Sequence, residues 1–123
     1  MSHEDREVLC RLIAAIRHCL DEGHEAEEIA RIIEHLLEYT KMHVLSEELL
    51  MQLYMYPFGR RHSRQHDQMI ESIERLATEI DEGDAKSLRA RLVDFETELE
   101  QHCGAHDARF TQFLANMDGG EDT

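Results

Sequence analysis

The feature that most restricts how this chain can fold is a stripe of positions that advances by alternating steps of four and three residues. It begins at Ile29 and continues through Ile33, Leu36, Thr40, His43, Glu47, Leu50 and Tyr54. Past a turn holding the only proline, Pro57, it resumes at His62 and His66 and runs through Met69, Ile73, Leu76 and Ile80. Residues three and four apart share one face of a helix, so each half of the stripe predicts a long helix with one buried seam. A shorter stripe precedes it, Leu9, Leu12, Ile13, Ile16 and Leu20, and another follows, Leu88, Leu92, Phe95, Leu99 and His102.

These stripes predict four helices: Ser2 to about Gly23, Glu25 to Tyr54, Arg60 to Glu82, and Asp84 to about Asn116. Ser2 with Asp5 three residues on has the pattern of an N-terminal capping box. The breaks at 21–24 and 82–84 are short, which sets successive helices antiparallel. The expected fold is therefore all-α, an up-down-up-down antiparallel four-helix bundle. Residues 1–117 form its single domain, and residues 118–123 form a disordered tail.

His43 and Glu47 occupy core positions on the second helix, and His62 and His66 occupy the first two core positions on the third. Each pair is spaced by four, so each can aim two side chains at one point, and the fold-back at Pro57 brings the two points together. A buried carboxylate is costly unless paired or bound to a metal. One such pair alone is explained as well by hydrogen bonding within the core. Four ligand-type side chains on two facing seams point instead to a metal site in the bundle core.

The fourth stripe adds His102. Counted back from Met117, Leu114 and Phe110, it also adds Asp107, one residue out of step with the series ending at His102. A one-residue widening of the helix, a π-bulge, turns both inward. The alternative pairs His102 with His106 and leaves Asp107 on the surface. Two carboxylates with four histidines exceed the needs of one ion. Two metals bridged by Glu47 and Asp107 account for the set, and no cysteine is spaced to form a thiolate site.

Charge and composition bound the partners. Thirteen basic against 27 acidic residues give a formal charge of −14, which opposes binding to nucleic acid or to an anionic membrane. No run of 18 apolar residues suggests a membrane span, and MSHEDREVLC is too polar for a signal peptide, so a cytoplasmic location is expected. Cys10, Cys19 and Cys103 are odd in number and lack CxxC spacing, and are read as reduced thiols in or near the core. His18, His24, His35 and His106 are read as surface residues, with the alternative for His106 that it stands behind the ligands of the site.

The order HxxxE, HxxxH, HxxxxD resembles the hemerythrin family, and specifically its bacterial members. The chain carries Tyr39 and Thr40 before His43, Glu48 and Met51 after Glu47, a Tyr56–Pro57 turn, and His102, His106, Asp107, Phe110, Phe113 and Leu114. The resemblance implies two non-haem iron ions joined by carboxylates and an oxo or hydroxo bridge. His62, His66 and His102 would hold one iron, His43 the other, with Glu47 and Asp107 shared. It also implies dioxygen as the ligand, in a carrier, store or sensor module rather than an enzyme, free or cut from a signalling protein.

Two departures from the family pattern bear on the second iron. The family draws a further histidine from its first helix, and aligned back from Gly23 that place falls on Arg6, which cannot shed its proton to ligate. His3, Asp5 or a bound water remain as substitutes. Ala105 and Cys103 stand where bulkier aliphatic residues line the oxygen pocket in animal members. A more open second position supports an alternative expectation: a di-iron or mono-iron sensor or enzyme for redox change, peroxide or nitric oxide.

Overall fold

A computed structural model describes residues 3–83, 85–103 and 108–121, with side chains from 5 to 117 within those spans. It is helical, in the order α1 (His3–Asp21), α2 (Ala26–Leu53), α3 (Gly59–Asp81), α4 (Ala85–Gln101) and α5 (Ala108–Glu121). Helix α1 packs on α2, α2 on α3, α3 on α4, and α4 returns to α1. The proposed capping residue Ser2 lies outside the described residues. No helix among those residues is long and apolar enough to cross a membrane.

Glycine sets one corner. At the end of α1, Gly23 has φ +69, and the amides of Gly23 and His24 donate to the carbonyls of Leu20 and Cys19. That pairing of the last orphan carbonyls requires a left-handed residue, which glycine adopts without strain. At the end of α2 the same pattern recurs with Met55 at φ +52; Met55 donates to Gln52 and Tyr56 to Met51. A side chain in that conformation costs about 1–2 kcal/mol. The turn delivers Tyr56 to the interior.

Two apolar clusters result. The larger joins Leu9, Ile13, Ile33, Leu36, Ile73, Leu76, Leu92 and Phe95, among others, from the first four helices. The smaller consists of Met51, Tyr56 and Phe110, with Phe113 and Leu114 packed against it. Between the two lies a polar layer: Thr40, His43, Glu47, His62, His66 and His102, all buried. Thr40 satisfies its hydroxyl locally by donating to the carbonyl of Leu36 at 2.8 Å.

The predicted seams hold on α3 and on α4 from Leu88 to Leu99. On α2 the seam changes near its end. After Glu47 the buried residue is Met51, a step of four, whereas Leu50 is 40% exposed. At 100° per residue a fourth residue lands 40° from the last and a third lands 60° away on the other side, so Met51 reaches the aromatic cluster and Leu50 faces out. On α1, Cys19 is buried and Leu12 and Leu20 only partly so, while Cys10 is exposed rather than near the core. Met117 is exposed, and the last helix runs to Glu121 instead of stopping near Asn116.

The expected fourth helix leaves regular α geometry at His102. Regular α geometry ends at Gln101, and His102 and Cys103 are π-helical. The widening begins where the register shift between His102 and Asp107 called for it; Asp107, with Ala105 and His106, lies outside the described residues. Met51→Ala should lower unfolding free energy by about 2–4 kcal/mol in urea titrations, and Leu50→Ala by less than about 1 kcal/mol. Equal losses would refute the revised seam.

Candidate metal centre

Helix α2 supplies the centre of the polar layer. Glu47 is 5% exposed, and its carboxylate is divided between two sets of rings. Oε2 lies 3.0 Å from Nε2 of His43, one turn earlier on the same helix. Oε1 meets Nε2 of His62 and lies 3.4 Å from Nε2 of His66, both on α3. His102 completes the layer, its ring centroid 4.8 Å from that of His62 and 5.0 Å from that of His66.

One ligand atom each from His43, Glu47, His66 and His102 falls within a sphere where no two are more than 4.8 Å apart. His62 is outside that group of four but joins it through Glu47. Nε2 of His43 and of His66 are buried and make no hydrogen bond among the described residues. Imidazole lone pairs gathered around one carboxylate, away from water, form the donor set that iron, zinc, copper or nickel accepts. The residues present therefore fit a cation.

The outward ring nitrogens of His43 and His66 are held by carboxylates. Nδ1 of His43 lies 3.3 Å from Oδ2 of Asp5, and Asp5 Oδ1 accepts a hydrogen bond from the Tyr39 hydroxyl at 2.7 Å. Nδ1 of His66 lies 3.4 Å from Oε1 of Glu48. A carboxylate behind a ligating histidine fixes the tautomer, leaving Nε2 as the free donor, and raises its basicity. Asp5 thus stands behind His43 instead of beside Glu47. The sequence admits Asp5 as a ligand; its place three positions before the first apolar residue of α1 gives no sign of this role.

Arg6, at the position expected of a first-helix histidine, is exposed and borders a surface hollow with Cys10, Arg17 and Glu96. The His3 side chain and Asp107 lie outside the description. Three other histidines, His18, His24 and His35, are on the surface as expected. His24 pairs locally with Glu28 at 2.7 Å.

Residues that the sequence offers only as parts of a family motif form a lid over the layer's outer side. Tyr56 packs against Phe110 and Phe113, both at 4.9 Å between centroids, and reaches the His62 ring at 6.4 Å. Burial raises the pKa of the Tyr56 phenol above its ordinary value; Arg109 opposes that rise and Glu47 adds to it. The phenol is therefore neutral at physiological pH. Its signal in the sequence was the Tyr-Pro turn, which identified a corner but not the direction of the ring.

Comparison with known proteins agrees with this geometry. The family model described as the hemerythrin HHE cation binding domain matches residues 3–114. A bacteriohemerythrin of Pseudomonas aeruginosa (strain LESB58) is 33% identical over 76 residues, 60% of this chain and 50% of that protein. One from Pseudomonas paraeruginosa (strain DSM 24068 / PA7) is 33% identical over 67 residues, 54% and 44% of the two chains. The matched stretch thus spans about half the length of these relatives. No solved structure matches the chain significantly.

Asp5→Ala and Glu48→Ala should each weaken cation binding by about 10–100-fold while leaving helix content unchanged. Competition against a chelator of known affinity, with circular dichroism as the fold control, measures this. Wild-type affinity in both variants would show that these carboxylates do not support the ligands.

Proposed function

The chain belongs to the hemerythrin family, and from that premise we propose that it is a non-haem di-iron protein that binds dioxygen reversibly. The observation that supports two ions is the division of Glu47: one oxygen faces His43, the other His62 and His66. A carboxylate between two histidine sets is suited to join two cations, with His102 and Asp107 completing the set. The short connections and the packing of each helix on the next support the up-down-up-down four-helix bundle as the scaffold.

Bound there, a ferrous pair would supply the electrons that reversible dioxygen binding draws on. The chain's residues do the rest. Asp5 and Glu48 hold His43 and His66 with Nε2 turned inward. Met51, Tyr56 and Phe110 keep bulk water from one side of the layer, and the large core keeps it from the other. Among the described residues, the groups around the layer serve to hold and orient, and we read the chain as a carrier, store or sensor module rather than an enzyme. It would act in the cytoplasm, without nucleic acid or membrane, alone or alongside a signalling domain.

A second reading follows from Arg6 and Asp5. With Arg6 on the surface and Asp5 engaged behind His43, α1 presents neither as a ligand, so among the described residues the cation beside His43 has fewer protein donors than the one beside His62. That asymmetry favours a redox, peroxide or nitric oxide sensor or enzyme, in which the second position exchanges readily.

Iron per chain, measured with the absorption spectrum before and after air reaches the dithionite-reduced protein, separates the two. Two irons and a visible charge-transfer band that appears with air and disappears on removing oxygen are expected. One iron, or oxidation without that band, would transfer the assignment to the sensor or enzyme. Loss of the cation should also destabilise the fold, by about 4 kcal/mol at a thousandfold excess over the dissociation constant, read as a lower melting temperature in chelator.

A further inference from the structure

Helix α2 carries a second apolar seam on the side away from its core. Met42, Leu45, Leu49 and Leu53 succeed one another at steps of three and four, and are 69%, 63%, 58% and 73% exposed. At 100° per residue they share one face, roughly opposite His43, Glu47 and Met51. Leu50, Met55 and Phe58 widen the patch. Single exposed leucines are ordinary on a surface, but here residues 42–58 hold seven of the nine large hydrophobic side chains exposed among the described residues.

We propose that this face pairs with the same face of a second copy of the chain, α2 against α2, about a twofold axis near Leu45 and Leu49. The charge distribution favours that occupant. The chain carries a formal −14, yet residues 42–58 contain two acidic side chains, no lysine or arginine, and one buried histidine, His43; Glu47 is buried and Glu48 is drawn inward against His66. This patch is where two such acidic chains meet with the least repulsion.

Area and symmetry agree. Seven side chains exposing on the order of 100 Å² each approach the roughly 800 Å² per partner that a stable protein interface buries. An antiparallel crossing sets Met42 of one copy against Leu53 of the other and the Leu45–Leu49 region against itself, the self-complementary arrangement a twofold requires. Beside the seam, an open groove of about 590 Å³ bordered by Gln52, Met55 and Arg60 offers room for side chains of the second copy. Glu48, whose Oε1 lies 3.4 Å from Nδ1 of His66, forms part of its wall.

Sedimentation equilibrium of the full chain at micromolar concentration tests this. The expected mass is twice the 14.4 kDa of one chain. Leu45→Glu/Leu49→Glu should sediment as a monomer with unchanged circular dichroism, because both positions are on the surface. Val93→Glu, a similar change at a residue 58% exposed on α4, should remain dimeric. A monomeric wild type, which would leave the seam to a different protein, overturns the proposal. So does a dimer that survives the double substitution, or one that Val93→Glu also dissociates.

Discussion

The carboxylate of Glu47 is the constraint on which the rest of this structure depends. A carboxylate at 5% exposure is tolerated only where other groups answer its charge, and here three histidine rings on two helices turn Nε2 toward it, a donor set that a cation between them completes. Those rings must be inward, so α2 and α3 have to meet at this level and in this rotation. The steps of four that separate His43 from Glu47 and His62 from His66 put each pair on one face. The turn through Tyr56 and Pro57 fixes the register between them.

Apolar packing makes the polar layer possible without surrounding it evenly. On one side, four helices close a large core from Leu9 to Leu99; on the other, Met51, Tyr56 and Phe110 form a thin lid. The strained Met55 belongs to this arrangement, since its left-handed backbone turns Tyr56 back over His62. The larger core thus lies on one side of the site and the thin aromatic lid on the other. The π-helical turn begins at the same level, at His102, the last position of the α4 seam.

Most of the layer was legible in the sequence because helical periodicity places residues on faces without reference to any partner. His43, Glu47, His62, His66 and His102 all sit at stripe positions, and all are buried. Two kinds of error show the limits of periodicity. Near the end of α2 the stripe offered Leu50 and the fold chose Met51, because a neighbouring aromatic cluster decided between two residues 100° apart. The role of Asp5 could not be read at all: it depends on how α1 docks beside Tyr39 and His43, a contact across 38 positions of chain. Family resemblance showed that a histidine was missing at Arg6, but not that the preceding carboxylate would reach the back of His43.

The proposed di-iron centre requires Glu47 to lie between two cations. Anomalous diffraction at the iron edge, from crystals of the iron-loaded chain, measures this directly. Two peaks flanking the Glu47 carboxylate are expected, one against His43 and one against His62, His66 and His102. A single peak at Glu47, or iron bound elsewhere, would contradict it.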